Sequence, residues 1–251
     1  MPPSSKISRL ADFDKEYIGG RSYVLGIDGR GALAGPVCAG AVAVRVDAYM
    51  SCALISQLSA LNDSKQLTRE VREDLYEELK KLKLAGYLDF EAGFANVEEI
   101  ESQNILVATQ MAMARAARAL NERLVLNLRA AGAAATLFGE SGLDASKAQV
   151  LIDGREMKKF PYSHMAVVKG DAQSLAIAAA SIVAKVTRDR LMEELSEKYP
   201  RFGFEKHKGY GTAAHLQSLM LFGPTKEHRK SFLKKLRPER GESEARQGSL
   251  F

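Results

Sequence analysis

Residues 22–46 read SYVLGIDGRGALAGPVCAGAVAVRV, and this stretch decides the fold. Its ends are apolar and rich in β-branched residues, so 22–28 reads as a buried strand and 36–46 as a second. The connection between them, GRGALAG, is short and glycine-rich, which predicts a hairpin. Asp28 closes the first strand and is followed at once by Gly29-Arg30-Gly31. An acid at that place is either turn chemistry or one wall of a site at the sheet's end.

Outward from this hairpin the pattern alternates between strands and helices. LNDSK (61–65) reads as a loop that feeds a helix over 68–83, on which Leu75, Leu79 and Leu82 share one face. GYLDFEAGF (86–94) alternates like a third strand. Asn96 is expected to cap a helix, with Glu99 as its capping-box partner; the helix carries Ile100, Ile105, Ala108, Met111 and Ala112 inward and runs to about residue 120. Residues 121–148 are long for a connection and read as an atypical insertion. QVLID (149–153) and HMAVVK (164–169) read as two further strands. Asp171 is expected to open a long alanine-rich helix, and shorter basic helices follow to about 237.

That order predicts an α/β fold with a mixed sheet. The expected organisation is a partly flexible N-terminal extension over 1–20, a main domain over 21–200, a basic helical region over 201–237 and a disordered polar tail over 238–251.

Composition narrows the function classes. The chain has 251 residues, 46% of them apolar, and carries a formal net charge of +5. No segment approaches the roughly 18–20 apolar residues that span a membrane, and the N-terminus lacks the apolar run of a secretion signal. Two cysteines without a CxxC pair argue against a disulfide framework or a cysteine zinc site and fit a reducing cytoplasm. The four histidines lack zinc-ligand spacing. Basic residues predominate between Arg201 and Arg240, which favours a polyanionic partner because neutralising phosphates releases counterions.

Three aspartates stand out. Asp28 and Asp153 each end a hydrophobic strand and precede a glycine, and Asp171 stands at the start of the long helix. Carboxylates converging at a sheet's end suit Mg²⁺ or Mn²⁺, and two such ions about 3.5–4 Å apart can activate water and stabilise a leaving oxygen. Singly, Asp153 also reads as turn chemistry and Asp171 as a helix N-cap contributing about 1 kcal/mol. Asp189 lies roughly 27 Å of helix from Asp171 and cannot share its metal.

The extended motifs carry the reading further. GIDGRGALAGPV, LNDSKQLT, NILVATQMAM, VLIDGREMKKFPY, VVKGDAQSLAIAAASIVAKVTRDRLMEEL, HKGYGTAAHL and HRKSF occur in this order. Together they resemble bacterial ribonuclease HII, of the type 2 ribonuclease H family, over about residues 22–233. The resemblance implies a ribonuclease H-like mixed five-stranded sheet flanked by helices, with a small C-terminal helical extension. It implies a metal-dependent endonuclease that cuts the RNA strand of RNA–DNA hybrids and incises at ribonucleotides embedded in duplex DNA, 5′ to the ribonucleotide. Asp28, Asp153 and Asp171 are then the catalytic and metal-binding acids. Gly29, Arg30 and Gly31 match the loop whose backbone reads the ribose 2′-hydroxyl. Tyr210 matches the tyrosine that stacks on the sugar at the junction. Lys65, Lys169 and Lys185 are phosphate-contact candidates, with a solvated surface role as the alternative. A cytoplasmic monomer engaged in DNA repair is expected.

One departure touches the chemistry. The family's first motif is Asp-Glu-x-Gly-Arg-Gly, with both acids catalytic, whereas this chain has Asp28-Gly29-Arg30-Gly31: two residues, including the glutamate, are absent. If the strand sets the register, Asp28 keeps its place and Gly29 replaces the glutamate. If Gly-Arg-Gly sets it, both acid positions become Gly26 and Ile27. The first arrangement keeps the metal-facing aspartate at the cost of up to about 7 Å of loop reach. The rival to an active nuclease is an impaired protein that binds hybrid or ribonucleotide-containing duplex without cutting it.

The last five residues, Gln247-Gly248-Ser249-Leu250-Phe251, resemble a bacterial sliding-clamp-binding peptide at the end of a polar stretch, GESEAR. Two apolar anchors on a tether could enter a preformed groove, which makes the replication clamp a candidate partner; a bland apolar ending is the alternative.

Overall fold

The apolar runs SYVLGID and PVCAGAVAVRV pair as two antiparallel strands, β1 and β2 below, in a register that sets Asp28 opposite Gly40. The computed structural model describes residues 6–61, 67–130, 147–158 and 160–233. Within them the elements run α1 (Lys6–Glu16), β1 (Tyr23–Arg30), β2 (Val37–Arg45), α2 (Cys52–Gln57), α3 (Arg69–Leu84), β3 (Leu88–Ala95), α4 (Val97–Gln103) and α5 (Ile105–Ala130). They continue with β4 (Ala148–Asp153), β5 (Met165–Val167), α6 (Leu175–Lys198), α7 (Phe204–His207), α8 (Ala213–Phe222) and α9 (Lys230–Leu233). The sheet order is β3-β2-β1-β4-β5; β1 pairs antiparallel with β2 and parallel with β4, so the sheet is mixed as the sequence predicts.

Two apolar layers close over this sheet. Residues such as Val24, Val42 and Val44 meet α1, α3 and α6 on one face, and Leu25, Ile27, Ala39 and Ala41 meet α5 on the other. Both central strands are buried along most of their length, which explains why β1 and β2 read as continuous apolar runs. The alanine-rich α6 sits close to the sheet because glycines admit it: a Cβ on Gly26 would lie 2.1 Å from the Ala176 carbonyl carbon, and one on Gly40 would lie 2.2 Å from the Ala180 oxygen.

Three details differ from the sequence expectation. The helix expected to run from Asn96 to about 120 is two helices. Asn96 and Glu99 do form the capping box of α4, but Asn104 then adopts φ 76° and its side chain accepts from the Leu106 and Val107 amides, which starts α5 afresh. Asp171 does not open α6. It lies in a 3-10 turn, Gly170–Ala172, and Ser174 is the cap, its hydroxyl accepting from Ile177 N. The capping role open to Asp171 in the sequence therefore belongs to Ser174. In the N-terminal segment, residues 6–16 form a helix with Ile7, Leu10, Ala11 and Asp14 buried.

The expected insertion over 121–148 begins as a continuation of α5 to Ala130, and residues 131–146 lie outside the described residues. Lys65 and the clamp-like Gln247–Phe251 also lie outside them. No helix among the described residues is long and apolar enough to cross a membrane.

Candidate active site

Parallel pairing brings two strand ends together. The last residues paired between β1 and β4 are Ile27 and Ile152, so Asp28 and Asp153 follow side by side at the carboxyl edge of the sheet. This edge is where ligand sites assemble in α/β folds. The Gly170 amide donates to Asp153 Oδ1 at 2.7 Å, fixing the turn that carries Asp171. Asp28 and Asp171 are almost fully buried, and Asp153 is half-buried.

The alternation of a strand sorts the next residues by face. Gly26 abuts α6, and Asp28 and Arg30 fall on that same side. Ile27 packs into the α5 layer, and Gly29 faces it: a Cβ on Gly29 would stand 2.8 Å from Thr109 Cγ2 and 3.1 Å from Met113 Cε. Because β1 continues through Arg30, the arginine returns over the acids. Its Nη2 lies 3.0 Å from Asp28 Oδ2 and 3.3 Å from Asp171 Oδ2, and it donates to the hydroxyl of Ser181 on α6.

These groups reshape one another's ionisation. Burial pushes the Asp28 carboxyl up to about 6; the Arg30 guanidinium opposes that and the nearby Asp153 charge adds to it. For Arg30, burial alone would favour the neutral form, but Asp28 and Asp171 outweigh it and hold the guanidinium protonated. The two partners thus respond oppositely to burial. For Asp28 the loss of water outweighs the single cation beside it, whereas Arg30 has three carboxylates to answer its own desolvation.

Residues 25–236 match the family model described as Ribonuclease HII. The chain is 44% identical over 210 residues to Ribonuclease HII of Magnetococcus marinus, covering 82% of this chain and 83% of that one. It is 43% identical over 211 residues to Ribonuclease HII of Delftia acidovorans, covering 83% and 75%. Among solved structures, the PCNA:RNase HII complex from Archaeoglobus fulgidus superposes with a TM-score of 0.54 at 21% identity, covering 91% of this chain and 98% of that one.

The chain belongs to the ribonuclease HII family. Its sheet of five strands with helices on both faces is the ribonuclease H-like fold.

The divalent ion that the ribonuclease HII resemblance implies does not fit the acids as they stand. The place between Asp28 and Asp171 is taken by Arg30 Nη2. Among the described residues, no three His, Cys, Asp or Glu side chains are grouped to hold a metal ion. The three expected metal-binding acids, Asp28, Asp153 and Asp171, lie at one end of the sheet, with Arg30 between Asp28 and Asp171.

The remaining candidates of this ribonuclease HII chain surround that cluster unevenly. Tyr210 is 42% exposed, and Lys185 Nζ and the Arg188 guanidinium lie 5.6 and 5.8 Å from its ring centre. Lys185 is also held by Asp189 at 2.8 Å. Lys169 is exposed and adopts φ 56°, just before the turn bearing Asp171. A Cβ on Gly31 would meet Val37 at 3.1 Å and the Arg229 guanidinium at 3.3 Å.

Sequence reasoning did not single out Ser181, Arg188 or Arg229. Arg188 is buried and donates to the carbonyls of Ala34, Pro36 and Lys208 at 2.8–3.1 Å, and Arg229 donates to Gly35 O at 3.0 Å. With Ala34 N on Gly209 O and Gly35 N on Glu227 O, they fasten the end of the glycine-rich loop to the C-terminal region. A serine inside AIAAASIVAK and an arginine inside HRKSF are the only signals the sequence offers, and both read equally as packing.

Proposed function

We propose that this chain is an endoribonuclease of the type 2 ribonuclease H kind, acting on the RNA strand of RNA–DNA hybrids and at ribonucleotides embedded in duplex DNA, with its turnover held low. The observation that carries this reading is the convergence of Asp28, Asp153 and Asp171 at the carboxyl edge of β1 and β4, beside Gly29-Arg30-Gly31. The family membership supports the same substrate class, and the cofactor we propose is Mn²⁺ or Mg²⁺, ions that take carboxylate oxygens, with Arg30 standing between Asp28 and Asp171 in their place. The backbone of Gly29, Arg30 and Gly31 would address the 2′-hydroxyl that separates RNA from DNA, and Tyr210 offers an exposed ring for a neighbouring sugar. Lys65, Lys169 and Lys185 would meet phosphates, Lys185 by sharing its charge with Asp189. The setting we propose is cytoplasmic DNA repair by a monomer.

A second reading has its own observation. Arg30 across Asp28 and Asp171 gives the cluster a cation without a metal, which favours a protein that binds ribonucleotide-containing duplex and leaves it intact.

The deciding experiment is cleavage of a labelled duplex carrying one ribonucleotide, with Mg²⁺ and separately with Mn²⁺, beside an Asp153→Asn control. Incision 5′ to the ribonucleotide that disappears in Asp153→Asn is the expected result. Retention of the duplex in a gel shift without incision in either metal selects the second reading, and incision that persists in Asp153→Asn removes the aspartates from the site.

A further inference from the structure

We propose that Arg30 is an intramolecular competitor of the divalent ion: its guanidinium occupies the cation position of the acid cluster, so metal binding in this chain requires the side chain to leave. The proposal rests on the function given above in one respect only, that Asp28 and Asp171 are the acids a metal would use.

The geometry is specific. One nitrogen, Arg30 Nη2, faces Asp28 Oδ2 at 3.0 Å, Asp171 Oδ2 at 3.3 Å and the Ser181 hydroxyl. These oxygens come from three separate elements, β1, the turn before α6, and α6 itself. An arginine on the surface pairs with one carboxylate and moves freely; here the side chain is 12% exposed and the two aspartates are 3% and 5% exposed. Their mutual repulsion is relieved by the cation between them, and a tethered cation competes at high effective concentration whatever the metal concentration outside.

The origin of the contact lies in spacing. Arg30 follows Asp28 by two residues on a strand, so both side chains project from one face about 7 Å apart along the chain. A long arginine folds back over that distance easily. The family motif sets its arginine four residues after the aspartate, with the glutamate between. In this chain the missing carboxylate and the intruding guanidinium are therefore one event, and both lower the attraction for a cation.

The proposal predicts that metal binding, measured without any substrate, improves when the guanidinium is removed. Mn²⁺ affinity is read from the free-ion paramagnetic resonance signal for the native chain and for Arg30→Ala, Arg30→Gln and Arg30→Lys. Arg30→Ala and Arg30→Gln should bind Mn²⁺ at least tenfold more tightly than the native chain, and Arg30→Lys should stay near native. Adding guanidinium at millimolar concentration to Arg30→Ala should weaken its Mn²⁺ binding again, which a loss of structure could not mimic. Folding of each variant is checked by its far-ultraviolet circular dichroism and melting transition. Native-like or weaker Mn²⁺ binding in a folded Arg30→Ala or Arg30→Gln chain overturns the proposal. If Arg30→Ala does not fold, the comparison of Arg30→Gln with Arg30→Lys decides alone. Tight Mn²⁺ binding without incision of the ribonucleotide duplex would keep the competitor and reject the nuclease; incision with unchanged Mn²⁺ affinity would do the reverse.

Discussion

At the scale of single residues, Gly29 separates two repairs that look equivalent on paper. Replacing it with glutamate restores the composition of the family motif, but the side chain would start 2.8 Å from Thr109 Cγ2, on the face opposite Asp28. Gly29→Glu should therefore lower the melting temperature by several degrees and add no incision, since a charged group forced into a packed layer is costly. Inserting Glu-Ala between Asp28 and Gly29 should instead raise incision by orders of magnitude, because it moves Arg30 about 7 Å along the strand and off the acids, even though its glutamate starts on the same face as that of Gly29→Glu. Duplex binding should change far less, as the basic surface supplies most of it. Equal activity of the insertion variant and the native chain would show that loop length is not what limits turnover. Asp28 and Asp153 were legible in the sequence because each ends an apolar run. The position of Arg30 was not, because the continuation of β1 to that residue is set by pairing with Cys38 across the sheet, a contact no local pattern announces.

The elements tell a similar story. The five strands and the cap of α4 follow from apolar runs, the alternation of the third strand and the Asn96–Glu99 pair, which are local. The start of α6 does not, because it depends on a residue far away in the chain. Asp14 of α1 is buried, accepting from Tyr49 Oη at 2.7 Å and from the Ala176 amide at 2.9 Å, so its charge lies at the N-terminus of α6. Desolvation nonetheless pushes its carboxyl up to about 6 from 3.8, against hydrogen bonds from Ser174 and Tyr49. A group whose folded value is raised binds more protons when folded, so its contribution is fully present below pH 3.8 and is lost as pH rises through 6. Urea unfolding of Asp14→Asn should show a flatter stability profile between pH 4 and 7 than the native chain, with the difference amounting to roughly 2–3 kcal/mol across that span. Parallel profiles for the two proteins would mean that α1 docks with Asp14 at its ordinary ionisation.

For the molecule as a whole, the question is how a basic protein with one acid cluster would find its substrate. Charge between Arg201 and Arg240 favours any nucleic acid, so position on DNA needs another source. We propose Gln247–Phe251, which resembles a clamp-binding peptide, as that source. We expect a labelled peptide of residues 240–251 to bind the bacterial replication clamp in the micromolar range, and to lose that binding when Leu250 and Phe251 are both changed to alanine. Anisotropy that stays flat up to high micromolar clamp would remove the clamp from the list of partners.

Arg188 and Arg229 hold the backbone at Ala34–Pro36 from one side, and the sheet holds Asp28 from the other. The stretch between is anchored at both ends, so a change in its length cannot be passed along the chain and must be absorbed in place. Odd and even changes then have opposite results. Gaining or losing one residue ahead of Arg30 would turn its side chain toward Thr109 and Met113, while a change of two keeps it on the acid face and only slides it along. For a loop held at both ends in this way, length changes of two residues preserve the face of Arg30 and changes of one reverse it.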